Sequence, residues 1–95
     1  MNDDAAARRR VLLDTLARAI DETRALRRDG RHLEFPLVQL EDIQARVLAH
    51  ERLSDDYRDA LSFGLAALRA LEATEEEHFP YFDLLHELKR LIERY

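Results

Sequence analysis

Only four residues in this chain of 95 resist the helix, and they stand far apart: Gly30, Pro36, Gly64 and Pro80. In a helix interior glycine costs about 1 kcal/mol and proline about 3 kcal/mol relative to alanine. The long stretches between these positions carry neither residue, and Leu, Ala, Arg and Glu, all good helix formers, dominate them. Few β-branched residues are present to favour strands. Apolar residues recur every three or four positions, the period of a helix with one buried face. The expectation is an all-α fold, a small antiparallel bundle of four main helices in a single domain spanning residues 1–95.

Leu13, Leu16 and Ile20, with Leu12, Ala19 and Leu26 beside them, predict a first helix over Asp4–Arg28. The Arg8-Arg9-Arg10 run lies in its first turns, where the helix dipole disfavours cations, so that end is expected to fray. Asp29-Gly30 stops the helix with a left-handed cap. In the connector 31–36, Leu33 and Phe35 are expected to tuck inward, and Pro36 opens a second helix. Leu37, Leu40, Ile43, Val47 and Leu48 form its buried stripe, and Gln39, Glu41, Asp42 and Arg46 face away. Ser54 is an N-cap with Asp55 and Asp56 in the positive first turn. A third helix follows over Asp55–Glu72. From Ala60 to Leu71 only Ser62 and Arg69 are strongly polar, which places this helix at the centre of the bundle. Gly64 lies mid-helix and points to a close helix crossing. Thr74-x-x-Glu77 reads as a capping box for a helical turn at 74–78. The last helix runs from Pro80 to about Arg94 on Tyr81, Leu84, Leu85, Leu88, Leu91 and Ile92.

Chemistry is scarce. The chain has no cysteine, which excludes disulfides and thiolate metal sites and suits a reducing compartment. No apolar leader or membrane-length stretch is present, so a cytoplasmic protein is expected. Glu75-x-x-His78 and Asp83-x-x-His86 have the i, i+3 spacing of di-iron bundles, but the third helix lacks the inward acids such a centre needs. The reading is therefore no metal, no cofactor and no catalytic residues. Ser54 and Ser62 have no nucleophile context, and no phosphate-binding glycine loop exists. Residues 1–31 carry eight arginines against six acids, and residues 32–95 seven bases against fourteen acids. An acidic body repels nucleic acid and anionic membranes and attracts basic protein surfaces. The arginine clusters, Arg8–Arg10 and Arg24–Arg31, read as solvated helix faces. Two acidic clusters stand out as candidate partner-binding residues: Asp55, Asp56 and Asp59, and the turn carrying Glu72, Glu75, Glu76 and Glu77. A like-charge run of that kind exceeds what one capping box requires.

Three segments between about Leu33 and Leu88 carry a resemblance. They are Leu37-Val38-Gln39-Leu40-Glu41-Asp42-Ile43, with a Gln-Leu-x-x-Ile pattern; Phe63 to Glu72, with Gly64 followed three residues later by Ala67; and Thr74-Glu75-Glu76 leading to Phe82-x-x-Leu85. Together they resemble the small helical immunity proteins that protect bacteria from NAD(P)-degrading toxins of the type VI secretion system. Where that family carries an Asp-Pro step in the acidic turn, this chain has Glu75-Glu76, and its proline comes later, at Pro80. The resemblance implies an antitoxin without catalysis that binds a secreted toxin domain, such as an NAD(P) glycohydrolase. It would block the basic cleft where the dinucleotide enters. The alternative from the residues alone is a helical adaptor or self-associating bundle, a homo-oligomer included, with no toxin partner. A metal-dependent enzyme stands third.

Overall fold

Leu12, Leu16, Ala19 and Ile20 fall on one stripe of a helix, and all four are buried at the heart of the molecule. They belong to α1 (Asp3–Arg28). At about 1.5 Å per residue this helix runs nearly the full length of a molecule whose longest dimension is 45 Å. The computed structural model describes residues 3–71 and 78–95. After α1 come α2 (Glu34–Leu48), α3 (Asp55–Asp59), α4 (Phe63–Leu71) and α5 (Phe79–Arg94), and the described residues contain no strand. Helix α1 packs on both α2 and α5, and α4 closes the bundle against the same two helices. The all-α bundle of four main helices is therefore present, with α3 as a single extra turn.

The α1–α2 pair is antiparallel, and a ladder of polar links shows its register. Arg9 Nη2 reaches the Val47 and Leu48 carbonyls at 3.3 and 3.5 Å. Arg24 pairs with Glu41 at 2.6 Å and Arg27 with Glu34 at 3.6 Å. Two left-handed caps end these helices. Gly30 takes φ +92°, and Arg31 N–H returns to the Leu26 carbonyl at 3.3 Å. His50 takes φ 59°, and Glu51 N–H returns to the Arg46 carbonyl at 2.9 Å. Both are the 6→1 bond of a Schellman motif. Only the glycine announces itself in the sequence. Between α1 and α5, Thr23 donates its hydroxyl proton to the Ala19 carbonyl at 2.6 Å. The Tyr81 hydroxyl lies 2.8 Å from Thr23 Oγ1, whose proton is already engaged, and must donate to it. Burial holds the Tyr81 phenol above its usual pKa.

Several expectations are corrected. The third helix is not continuous: it breaks at 60–62 into α3 and α4, and Ser62 N–H is taken by Gln39 Oε1 at 2.9 Å. Gln39 therefore faces the bundle, not solvent. The reason lies in phase. The buried stripe of α4 is Phe63, Ala67 and Leu71, and continued backward on one helix it would carry Asp59 and Asp56 into the core. Burying those carboxylates unpaired would cost far more than one break. Nor is this segment central, because α1 holds that place and Leu65 is 53% exposed. Gly64 marks no close crossing: a Cβ built there meets nothing within 4 Å. Phe35 and Leu48 point outward, 56% and 55% exposed, while Leu33 is buried as expected. On α5, Phe82 joins the core beside Tyr81, Leu85, Leu88 and Ile92. The fraying expected at Arg8–Arg10 is also offset, because Arg9 binds carbonyls at the C-terminus of α2, where cations are favoured.

Candidate functional site

The break between α3 and α4 leaves those two short elements splayed from α5, and a groove of about 940 Å³ opens between them. Its apolar lining comes from Leu61, Phe63, Leu65 and Leu68 on one wall and Phe82, Leu85 and Ile92 on the other. Phe63, Phe82, Leu85 and Ile92 are floor residues shared with the core, whereas Leu61 and Leu68 are half-buried and Leu65 stands at the rim. Gly64 presents bare backbone to the same groove. The apolar run that reads as a central helix is thus, on one side, the wall of an open cleft.

The rim is charged. Asp55, Arg58 and Asp59 come from the α3 side, and His86, Lys89 and Glu93 from one stripe of α5. Arg58 Nη1 lies 3.6 Å from Asp55, and its Nε is buried with no hydrogen-bond partner. A smaller recess lined by Arg52, Leu53, Ser54, Asp55, Arg58 and Tyr95 shows that the start of α3 sits beside the end of α5. Glu93 therefore shares one end of the groove with the α3 acids. Lys89 and His86 follow one and two turns back along α5.

Helix α3 is held in place by a polar knot. Ser54 Oγ accepts the Tyr57 N–H at 3.1 Å as the N-cap. The Tyr57 hydroxyl donates to Asp42 Oδ2 at 2.6 Å, Arg46 Nε donates to the same oxygen at 2.9 Å, and the Arg46 guanidinium lies 4.4 Å from the Tyr57 ring centroid. The Tyr57 hydrogen bond, helped by Arg46, holds the Asp42 carboxyl below the usual carboxylate range. Burial and the bond to Asp42 push the Tyr57 phenol up. The Asp42-x-x-x-Arg46 spacing was visible in the sequence, but nothing there tied it to Tyr57.

Of the residues singled out as partner-binding, Asp55, Asp56 and Asp59 are exposed on α3, and Asp55 and Asp59 line the groove. Glu72, Glu75, Glu76 and Glu77, with the Thr74 capping box and the helical turn expected at 74–78, lie outside the described residues up to His78. Sequence reasoning missed the apolar half of the site, Leu61, Leu65 and Leu68, because the same pattern signals burial. Asp83 and His86 are exposed on α5. Among the described residues no three His, Asp or Glu side chains come together as a metal site would require, and no helix is long and apolar enough to cross a membrane. Comparison with protein-family models, with curated proteins and with solved structures found no match to this chain.

Proposed function

We propose that this chain is a protein-binding module of the immunity type, which docks a cognate secreted toxin domain and acts by obstruction, without catalysis. One observation carries the reading: an open groove with an apolar floor and a charged rim, the form in which helical proteins receive a partner. Burial of Leu61, Leu65 and Leu68 would supply affinity, and the acids at the rim would favour a basic partner surface. The resemblance to immunity proteins of NAD(P)-degrading toxins suggests a class of partner, and a dinucleotide cleft is a basic surface of the required sign.

The test is to establish whether the adjacent gene encodes a secreted toxin domain, to co-express the two, and to follow with affinity capture. A stoichiometric complex that rescues growth and preserves cellular NAD(P) is expected. Growth arrest with no complex would refute the reading. A second reading rests on a different observation. Phe35 and Val38 stand exposed on the outer face of α2, and such a pair suits self-association. A mass in light scattering that doubles with concentration, and reverts in Val38→Lys, would favour it.

A further inference from the structure

The groove is electrostatically lopsided. At one end three carboxylates, Asp55, Asp59 and Glu93, share the rim with one guanidinium, Arg58, which is already turned to Asp55. Further along α5 the rim carries Lys89 and His86. From His86 to Glu93 the distance along the helix is about 10 Å, or two turns. A surface two turns long, with an apolar floor, acids gathered at one end and a lysine one turn in from it, matches a short amphipathic helix in dimension and in polarity.

From this we infer that the groove receives an amphipathic helix of the partner, with its basic end over Asp55, Asp59 and Glu93. The apolar residues of that helix, at i, i+3 or i+4 and i+7, enter between Leu65 and Leu68 on one wall and Phe82 and Leu85 on the other. Gly64 lets the incoming side chains approach the α4 backbone, since nothing occupies the space where its Cβ would stand. The inference rests on the binding-module reading and adds the chemistry of the occupant and its orientation. A stripe of apolar residues alone would fit either way round; the three acids at one end remove that freedom.

The probe is a pair of peptides of about 14 residues, helix-stapled because free helices of that length are marginal. Both carry leucines at i, i+4 and i+7. They differ only at the last turn, where one has two lysines and the other two glutamates. Binding to the full chain is read by fluorescence anisotropy and located by amide chemical-shift changes. The lysine peptide is expected to bind about ten-fold tighter than the glutamate peptide, since two exposed charge positions each switch from attraction to repulsion. On the Asp59→Lys, Glu93→Lys chain the preference should invert, with shifts still confined to α3, α4 and α5. Equal affinities, a preference that survives the swap, absence of saturable binding, or shifts clustered on the outer face of α2 would each overturn the inference. So would a groove already filled by a second copy of the chain, seen as a dimer that Leu65→Lys dissociates. A toxin domain that is captured as usual while both peptides fail would reject the helical occupant and leave the binding-module reading standing.

Discussion

The contact between Thr23 and Tyr81 offers a quantitative test of how α1 and α5 are joined. Thr23 is fully buried and Tyr81 is 4% exposed. The Thr23 proton goes to the Ala19 carbonyl, so the Tyr81 hydroxyl is the donor of the 2.8 Å bond. Thr23→Val keeps the shape and strips the phenol of its acceptor. Leaving a buried hydroxyl unpaired costs about 1–3 kcal/mol. Tyr81→Phe removes the donor instead, leaves the Thr23 proton on Ala19, and should cost about 0.5–1.5 kcal/mol. With both replaced no polar group is stranded, so the double variant should be more stable than the sum of the single losses predicts, by about 1 kcal/mol. Urea unfolding followed by circular dichroism at neutral pH measures all four proteins. The pH range matters because the folded phenol is held above its usual pKa: its contribution is complete below the unfolded value of about 10 and fades as pH rises beyond it. Additive losses, or a Tyr81→Phe loss larger than that of Thr23→Val, would refute the assignment of donor and acceptor.

Three further outcomes follow from the same structure. His50→Gly should stabilise by about 1 kcal/mol, because it relieves a left-handed backbone that a β-carbon disfavours; Gly30→Ala, at φ +92°, should destabilise by at least that much, and thermal melts compare the two directly. Gly64→Ala should be neutral to stabilising by about 0.5 kcal/mol in the same melts, and a clear loss would restore the close crossing that the open space at its Cβ denies. Asp42→Asn should flatten the acid limb of a stability-versus-pH curve: the depressed carboxyl stabilises the fold above its unfolded pKa, and that stability is lost as pH falls through the lower folded value.

Some helix boundaries were legible in a breaker or cap, although Pro36, expected to open α2 after a connector over 31–36, stands third in a helix that begins at Glu34. Gly30 ended α1, Ser54 capped α3 and Pro80 opened α5, because each acts through its own backbone or side chain. The 60–62 break was not legible. No breaker marks it, and the group that satisfies Ser62 N–H is Gln39, 23 residues earlier in the chain. His50 was missed for a related reason, since its left-handed cap shows only in the backbone bond from Glu51 N–H to the Arg46 carbonyl and is not marked by a glycine. At the groove the charges could be read and the walls could not. Asp55 and Asp59 show themselves as acids anywhere, whereas an apolar run such as Phe63 to Leu71 looks the same whether its outer side is covered by a helix or left open. Leu48 misled in the same way: a 3.6-residue period shows which face is apolar, but not how wide a face the neighbouring helices can cover. Phe35 misled because it was placed in a connector, whereas it lies in the first turn of α2.

The groove between α3–α4 and α5 is the surface proposed to meet the partner, and one paired measurement tests it. Leu65 and Val38 are both leucine- or valine-sized, both over half exposed, and lie on different faces, the groove rim and the outer side of α2. Each can be changed to lysine with a stability shift expected within about 0.5 kcal/mol. The dissociation constants of wild type, Leu65→Lys and Val38→Lys for the captured toxin domain, taken by calorimetry after melts confirm that all three fold, decide the matter. A loss of at least about ten-fold for Leu65→Lys, the scale of burying a charge where a leucine side chain was covered, with Val38→Lys unchanged, is the predicted result. Unchanged affinity for Leu65→Lys, with the loss falling on Val38→Lys, would place the interface on α2 and contradict the account.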